Sequence, residues 1–313
     1  MSRHHFRPFP EYIADQKRTN KRGWKKKENR LNQVLNGGAI PPALEAQKVT
    51  TLHIREALAQ FIRRGAVAGS NTARADLHAC FNFALHADNN PATLGAAIRY
   101  GVTINPVTAI PKQIGAEKIG SRYLSWDELA RLIKALTLPD TEKLIRPDCC
   151  RLLLLCLYTG GQRPWELMTN KHENISENIL SIPEEISKTS NFHSVPLHAK
   201  ALEIIATQKR LNPRKAFLFP AGSKSGHMES SLLGRQVRAL CAALNMKPFT
   251  PRDLRRTFKT LAGDMGVPLE LRDILQNHRR PGVSGRVYDK YYYMREKREI
   301  LDAWHKRLDE ITQ

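Results

Sequence analysis

The chain has 313 residues, enough for two domains, and 41% of them are hydrophobic, which is typical of a globular protein and excludes a disordered chain. Lys and Arg number 50 against 30 Asp and Glu, so the net charge is +20 and polyanions, nucleic acid first among them, are the expected partners; solubility alone is the other explanation. Five cysteines, odd in number and without C-x-x-C spacing, predict reduced thiols rather than disulfides or a zinc site.

Positive charge is densest near the N-terminus. Residues 1–10 contain no apolar core of signal-peptide length, so we expect a cytoplasmic protein. Residues 17–30 carry eight basic residues and one acidic residue with little helical or strand periodicity, which predicts a basic arm over residues 1–48 that lies along DNA phosphates. A solvated leader that only aids solubility is the alternative. The candidate DNA-binding residues are Lys17, Arg18, Lys21, Arg22, Lys25, Lys26 and Lys27.

Two amphipathic helices are predicted next. An apolar stripe from Leu52 to Ile62 predicts a helix that ends at Gly65. A second stripe predicts a helix that opens at Asn71 and stops before Pro91. Several Pro and Gly residues in the following stretch are typical of a linker. We therefore predict a helical domain over residues 49–112, a linker over residues 113–122 and a second domain from residue 123.

The second domain combines helical and strand patterns. Ser125 and Glu128 form a predicted capping box ahead of an amphipathic helix. A buried helix is predicted over residues 149–158, and its apolar run is too short to cross a bilayer, so no membrane contact is expected. Two strand-like runs, residues 178–182 and 193–197, precede further helices. The pattern predicts a mostly α-helical fold with a small β-sheet.

An arginine directly follows the predicted buried helix. The helix breaks at Gly160 and Gly161, and Arg163 then stands at the start of the next helix. A cation in such a place is costly unless it is paired or meets an anion. Arg163 is therefore a candidate anion-binding residue, and an ion pair with Glu166, three residues on, is the alternative.

A group of arginines opens a later helix. Thr250 is the predicted N-cap, with Pro251 at the first helical position and Gly266 at the end of the helix. Cations in the first turns oppose the helix dipole, so we expect an anion to compensate them. These arginines are Arg252, Arg255 and Arg256.

Four of the eight tyrosines fall within six residues near the C-terminus. They follow His278 and a loop rich in Gly, Pro and Ser. Tyr288 comes just beyond this loop, so it could be delivered to a site that is built elsewhere. Tyr291 and Tyr292 lie three and four residues later on the same helical face, which favours packing.

These segments occur in the order and spacing of the tyrosine recombinases, and the sequence resembles the integrases of phages and integrative elements most closely. The matching stretches are TGGQRPWEL with Arg163, ISKTSNFHSVPL with Lys188, RDLRRTF with Arg255, LQNH with His278 and VYDKYY with Tyr288. The resemblance covers residues 159–304, and residues 49–112 look like the core-binding domain of the family. It implies a two-domain architecture with a catalytic domain over residues 123–292.

The resemblance implies a site-specific DNA recombinase or integrase that integrates or excises a mobile element. Such an enzyme cleaves and rejoins DNA through a 3′-phosphotyrosine intermediate, for which Tyr288 corresponds to the nucleophile. Lys188 corresponds to the lysine that protonates the leaving 5′ oxygen. Arg163 and Arg255 correspond to the arginines that clamp the scissile phosphate, and His278 to a residue that hydrogen-bonds it. No metal, nucleotide or other cofactor is implied.

Arg252 departs from the family pattern, in which histidine usually opens this box. A guanidinium effectively never deprotonates, so Arg252 cannot accept the tyrosine proton. We interpret it as an additional charge that stabilises the phenolate of Tyr288, and a partly degraded box is the alternative. The proton then goes to the phosphate, to water or to His278.

Other functions remain open. A type IB topoisomerase shares this chemistry but relaxes one duplex without exchanging partners. A DNA-binding accessory protein with impaired catalysis would keep the charge and the fold, with Arg252 as a trace of the loss. A metal-dependent nuclease or transposase is disfavoured because no suitable acidic cluster stands out among the motifs to hold two cations.

The last helix is expected to serve assembly. Its apolar stripe consists of Met294, Ile300, Leu301, Trp304 and Leu308. Family members pass a C-terminal segment to a neighbouring protomer, so the resemblance implies that residues 293–313 make such a contact, with docking on the chain's own catalytic domain as the alternative. It further implies double-stranded DNA as partner, a homotetramer on paired recombination sites, and a location at the bacterial nucleoid, with DNA-bending accessory proteins as additional candidates.

Overall fold

The computed structural model describes residues 8–19, 23–93, 95, 99–117, 120–138, 144–223, 225–278 and 291–313. The chain divides into two compact units, residues 1–119 and 120–313, and each has its own hydrophobic core. Both are built mainly from helices, and a small sheet belongs to the second unit. The predicted mostly helical fold with a small β-sheet is thereby confirmed.

The described part of the first unit contains four α-helices, of which the last is central. They are α1 (Pro8–Arg18), α2 (Trp24–Asn36), α3 (Thr51–Arg63) and α4 (Val67–Asp88). The other three all pack against α4. This helix opens four residues before the predicted start at Asn71, whose side chain exchanges hydrogen bonds of 2.8 and 2.9 Å with the backbone of Gln113 instead of capping a helix.

The N-terminal segment differs from the basic arm that the sequence predicts. Helices α1 and α2 contribute buried side chains to the core of the first unit, namely Phe9, Tyr12, Ile13, Leu31 and Val34. Arg30, at the end of the charged stretch, donates to the buried carboxylate of Asp76 on α4 at 2.5 Å. The prediction of an arm without helices was wrong, because the many charged residues of 17–30 obscure the helical spacing of the apolar ones. Packing against α4 is what stabilises these helices.

Helices also dominate the described part of the second unit. They are α5 (Trp126–Thr137), α6 (Pro147–Tyr158), α7 (Pro164–Met168), α8 (Ala199–Leu211), α9 (Ser230–Ala243), α10 (Asp253–Asp264), α11 (Leu269–Leu275) and α12 (Met294–Thr312). The predicted capping box is present, since Ser125 and Glu128 exchange both hydrogen bonds at the start of α5. Among the described helices, none is both long enough and apolar enough to cross a membrane.

The sheet has three antiparallel strands in the order β1-β2-β3. Strand β1 (Ile175–Ser176) has only two residues and no sequence signal, whereas β2 (Ile179–Ile182) and β3 (His193–Pro196) match the predicted runs. Leu180 of β2 lies opposite Val195 of β3, and both side chains are buried. This pair anchors the sheet in the core of the second unit.

Helix α10 begins later than the sequence predicts. Its N-cap is Arg252 rather than Thr250. The carboxylate of Asp253 accepts hydrogen bonds from the backbone N–H and from the hydroxyl of Thr250, each at 2.8 Å, so the threonine side chain donates to the helix instead of capping it. The helix ends at Asp264, and Gly266 follows in the left-handed region with a φ of +82°.

The C-terminal helix α12 packs on its own unit. Its buried apolar residues belong to the core of the second unit, and they are Ile300, Leu301, Trp304 and Leu308. The indole Nε1 of Trp304 donates to the carbonyl of Leu157 at 2.9 Å, and Nζ of Lys297 donates to the carbonyl of Ser194 at 2.7 Å. In the described structure α5 and β3 of the same chain cover these residues, which is the alternative that the sequence left open. The contact of residues 293–313 with a neighbouring protomer stays a prediction.

Candidate active site

A two-glycine turn between α6 and α7 positions Arg163. Gly160 and Gly161 have φ values of +70° and +71°, in the left-handed region that favours glycine. A Cβ atom on Gly161 would lie 2.9 Å from the Cα atom of Arg255. The turn therefore lets the chain just before Arg163 approach the helix that carries Arg255.

Arg163 is the N-cap residue of α7 and is held by two partners. Its Nη1 donates to both carboxylate oxygens of Glu166, at 3.0 and 3.2 Å, and its Nη2 donates to the carbonyl of Asn277 at 3.2 Å. Glu166 is fully buried. The ion pair between Arg163 and Glu166, which the sequence left open as an alternative, is present. It orients the guanidinium and still leaves Arg163 able to bind an anion.

Arg255 lies on α10 and is 8% exposed. Its Nη1 donates to the carbonyl of Gly161 at 3.1 Å, and its Nη2 donates to the carbonyl of Gln276. Burial, followed by the positive charge of Arg163, lowers the pKa of Arg255. Two guanidiniums that repel each other in a desolvated place gain from a bound anion, and their geometry suits one with several oxygens.

One short segment after α11 connects both arginines to the predicted histidine. The carbonyl of Gln276 accepts from Arg255, the carbonyl of Asn277 accepts from Arg163, and His278 follows directly. The side-chain amide of Gln276 in turn donates to the carbonyl of Arg255 at 2.9 Å. The two guanidiniums and the imidazole are thereby brought together by three consecutive residues.

Lys188 lies in the connection between β2 and β3, and the residue as a whole is exposed although its ammonium group is partly desolvated. Its backbone N–H donates to Oε1 of Glu166 at 2.7 Å, which ties this connection to α7. Partial burial, and then the charges of three arginines led by Arg252, lower the pKa of Lys188, whereas Glu166 opposes the shift. An ammonium group whose pKa is lowered gives up its proton more readily, as a general acid must.

The three arginines at the start of α10 differ in their surroundings. Arg256 forms an ion pair with Asp253, and Arg255 is bound to backbone carbonyls. Arg252 is exposed, and within the described part of the chain it has no carboxylate partner. The carboxylate of Asp253 is therefore the compensating anion for Arg256. The charge of Arg252 is not compensated in this way and acts on nearby Lys188.

His278 forms a cluster with two charged residues. Its Nδ1 lies 2.6 Å from Oδ1 of Asp273, and the same oxygen accepts from Nζ of Lys259 at 2.6 Å. Burial lowers the pKa of His278, and the charges of Arg255 and Lys259 act in the same direction, while Asp273 opposes them. The ring is therefore uncharged near neutral pH.

The predicted nucleophile Tyr288 lies in residues 279–290, outside the described residues. Three tyrosines that follow it are described. The ring of Tyr292 meets the ring of Phe192 edge-on, with 6.0 Å between centroids, and the hydroxyl of Tyr291 donates to Glu296 at 3.1 Å. Because Phe192 belongs to the connection that carries Lys188, this contact links the two segments that flank the site.

The predicted DNA-binding residues of the first unit fall into three groups. Lys17, Arg18 and Lys27 have hydrogen-bond partners on α1 and α2. Lys25 and Lys26 of α2 are exposed. Lys21 and Arg22 lie outside the described residues. Among the five that the structure describes, Lys25 and Lys26 are the exposed residues that show no hydrogen bond or ion pair, and Nζ of Lys25 lies 5.4 Å from the ring centroid of Trp24.

Sequence reasoning missed most of the side chains that hold this site. It points to Glu166 only as an ion-pair partner, and it gives no signal for Lys259, Asp273 or Gln276. The partners of these residues are far apart in the chain, 14 positions for Lys259 and Asp273 and 116 for Gln276 and Gly160. Among the described residues, no group of three or more His, Cys, Asp or Glu side chains could hold a metal ion.

Two curated relatives match most of this chain. The prophage integrase IntZ of Escherichia coli K12 is 25% identical over 220 residues, which are 69% of this chain and 52% of IntZ. The integrase of Shigella phage Sf6 is 22% identical over 275 residues, which are 85% of this chain and 66% of that protein. The chain therefore spans about half of the first relative and just under two thirds of the second.

Comparisons with known families and solved structures identify the family and the fold of the chain. A solved structure of a lambda integrase tetramer bound to a Holliday junction superposes with a TM-score of 0.62 at 19% identity, covering 90% of this chain and 78% of that one. The family model of the phage integrases matches residues 122–293, more than half of the chain and the whole region that holds the arginines, the lysine and the histidine. The chain belongs to the phage integrase family of tyrosine recombinases.

Proposed function

We propose that this protein is a site-specific DNA recombinase that cleaves and rejoins DNA through a 3′-phosphotyrosine intermediate and thereby integrates or excises a mobile element. The observation that carries the proposal is the fixing of Arg163 and Arg255 on the consecutive carbonyls of Asn277 and Gln276. This arrangement holds two partly desolvated guanidiniums close enough for their charges to repel, and a phosphodiester bound to both would supply the missing negative charge.

The two arginines bind the non-bridging oxygens of the scissile phosphate in this mechanism. Charge gathers on the equatorial oxygens of the pentacoordinate transition state, so preorganised donors act more strongly there than in the ground state. Glu166 keeps Arg163 in position from a fully buried site. Replacing Arg163 or Arg255 by Ala should slow cleavage by on the order of a hundredfold or more.

Tyr288 and Lys188 supply the two bond-making groups. The phenolic oxygen of Tyr288 attacks the phosphorus atom and displaces the 5′ oxygen, which takes a proton from Lys188. The lowered pKa of Lys188 supports this role, since three neighbouring arginines favour loss of its proton. Because these side chains supply the positive charge and the acid, we expect cleavage to proceed in the presence of EDTA.

Arg252 adds charge to the site but no base. Its guanidinium is exposed and acts on Lys188 through its charge. In the proposed mechanism it stabilises the phenolate of Tyr288 as the proton leaves, since an added cation lowers the pKa of a phenol.

Double-stranded DNA is the proposed substrate, and paired sites held by a homotetramer are the proposed assembly. The lambda integrase structure, a tetramer on a Holliday junction, supports this assembly by its fold likeness. The exposed residues Lys25 and Lys26 are proposed phosphate contacts. DNA-bending accessory proteins are proposed as further partners, and the bacterial nucleoid as the place of action.

The test is covalent capture of DNA. DNA attached to the protein in cells is recovered, its ends are sequenced, and a duplex of that sequence with a nick beside the cleavage point is used to trap the adduct in a denaturing gel. Wild type should form the adduct, and Tyr288→Phe should not, while binding the duplex with nearly unchanged affinity. The control variants Tyr291→Phe, Tyr292→Phe and Tyr293→Phe should remain active.

Two outcomes would replace the proposal. Binding without an adduct would support the accessory protein with impaired catalysis. Relaxation of supercoiled DNA without strand exchange between two recovered sites would support a type IB topoisomerase instead.

A further inference from the structure

Residues 120–124, the opening segment of the second unit, lie against the start of α10. The backbone N–H of Leu124 donates to Oγ1 of Thr257 at 2.9 Å, and this hydroxyl donates to the backbone carbonyl of Asp253, also at 2.9 Å. Leu124 and Thr257 are both fully buried. Because a buried backbone N–H without a partner is costly, this contact fixes the opening segment on the helix that carries Arg255.

Gly120 gives room to the side chain of Arg256. A Cβ atom on Gly120 would lie 2.9, 3.0 and 3.2 Å from Nη1, Nη2 and Cζ of the Arg256 guanidinium. Nη1 of the same guanidinium donates to Oδ1 of Asp253. A methyl group at position 120 would therefore displace the end of a flexible side chain, which the fold tolerates, but the displacement would act on the ion pair. The backbone of Gly120 is outside the left-handed region, so alanine adds no backbone strain there.

Asp253 joins this ion pair to the turn that precedes α10. Its side chain is buried, and Oδ2 accepts from the backbone N–H and from the hydroxyl of Thr250, each at 2.8 Å. The backbone N–H of Asp253 donates in return to the carbonyl of Thr250 at 2.8 Å. Arg252 lies within this turn, and its carbonyl accepts from the backbone N–H of Arg255 at 3.1 Å. The carboxylate that pairs with Arg256 thus also holds the backbone from which Arg252 and Arg255 extend.

Arg122 links the opening segment to the same carboxylate by charge. Its guanidinium donates to both carboxylate oxygens of Glu128 on α5, at 2.6 and 2.8 Å. This hydrogen bonding to Glu128 raises the pKa of Arg122, and the negative charge of Asp253 acts in the same direction. The opening segment is therefore linked to Asp253 by a hydrogen-bonded hydroxyl, by the guanidinium of Arg256 and by this charge.

We propose that three positioning residues hold the arginines at the start of α10 in place for strand cleavage, namely Gly120, Arg256 and Asp253. The inference rests on the function proposed above. The three residues act on Arg252 and Arg255 through the turn that begins this helix, so none of them has to touch the scissile phosphate. Displacement of the Arg256 guanidinium should accordingly slow the chemical step and leave the affinity for duplex DNA unchanged.

Gly120→Ala tests this role because it adds one methyl group and changes no charge. We expect single-turnover adduct formation on the nicked duplex to slow by about tenfold, since a small misplacement of a preorganised group is enough for such a loss. Duplex affinity, its salt dependence and the melting temperature should stay close to those of Gly222→Ala. Gly222 is the matched control, because it is exposed, has no positive φ, and a Cβ atom there would have no neighbour within 4 Å. A cleavage rate within about twofold of this control would overturn the inference.

A double variant tests whether the effect passes through Arg256. Arg256→Gln removes the ion pair with Asp253, so it should also slow adduct formation by about tenfold. If Gly120→Ala acts by displacing this guanidinium, the double variant should cleave about as fast as Arg256→Gln alone. Independent effects would multiply to about a hundredfold and would overturn the inference, as would cleavage by Arg256→Gln at the rate of wild type.

The comparison of affinity with cleavage separates positioning from mere support of the fold. A parallel fall of duplex affinity, melting temperature and cleavage in Gly120→Ala would mean that the opening segment only stabilises the second unit, and it would overturn the inference. Adduct formation by wild type and by both single variants at equal rates would refute the positioning role and leave the recombinase function standing. Absence of the adduct in wild type would refute the recombinase function, and this inference with it.

Discussion

The carboxylate of Glu166 accepts the backbone N–H of Lys188 at 2.7 Å, while its two oxygens also accept from the guanidinium of Arg163. A fully buried side chain therefore joins Arg163, which is proposed to bind the scissile phosphate, to the connection that carries the proposed acid. An ion pair that the sequence presents as local and structural acts here as a link between two functional segments.

Replacement of Glu166 tests this link. Glu166→Gln keeps the shape but removes the charge that holds Arg163, so we expect cleavage to slow by on the order of a hundredfold through misplacement of the guanidinium. Thermal unfolding should report a loss of about 1–3 kcal/mol. The control is Glu173→Gln, whose carboxylate pairs with Lys171 in an exposed place and should matter little. Wild-type cleavage by Glu166→Gln would mean that Arg163 is held without this carboxylate.

The contact between Phe192 and Tyr292 should help to place the nucleophile. Phe192→Ala removes an aromatic pair worth about 0.5–1.5 kcal/mol, so single-turnover cleavage should slow by about twofold to tenfold. Phe192 is 43% exposed, so the melting temperature should hardly change. Leu211→Ala, at a residue that is 56% exposed, serves as control. If cleavage by Phe192→Ala equals that of the control, the two segments are positioned independently.

The exposed lysines of α2 should contribute to DNA affinity without reading sequence. We expect the double change Lys25→Gln and Lys26→Gln to weaken binding of any duplex and to reduce the slope of log K against log salt by about two, since each lost phosphate contact removes one released counterion. Lys209→Gln with Lys215→Gln removes the same charge from the second unit and is the control. Deletion of residues 1–30 is not a usable test, because it also removes Phe9, Tyr12 and Ile13 from the core. If the two double variants show the same slope of log K against log salt, Lys25 and Lys26 do not contact phosphates and serve only solubility.

Helix α12 should be required for the stability of its own unit. Trp304 is fully buried and bonded to the carbonyl of Leu157, so Trp304→Ala should cost about 3–5 kcal/mol in the free energy of unfolding. Asp302→Ala, on the exposed face of the same helix, should cost little. Truncation after Tyr293 should accordingly unfold the second unit. If the truncated protein stays folded but fails to assemble on DNA, this result would instead support a contact between α12 and a neighbouring protomer.

Short-range patterns were sufficient for the features that depend on neighbouring residues. The capping box of Ser125 and Glu128, strands β2 and β3 and the fold class are confirmed. The start of α10 shows the limit of such reasoning, because Thr250 has the right chemistry for an N-cap but is engaged by Asp253. The role of Tyr288 stays a prediction.

By itself, the sequence determined which side chains could carry the chemistry, because the order and spacing of motifs can be read without a structure. It also excluded Arg252 as a base, because a guanidinium does not deprotonate. Only the tertiary structure decided how they are held. Arg163 and Arg255 are oriented by carbonyls that are remote from them in the sequence. The burial of α1, α2 and α12 and the contact of His278 with Asp273 likewise follow no local sequence pattern. Their free energy comes from packing and from desolvated hydrogen bonds, which arise only when distant segments meet.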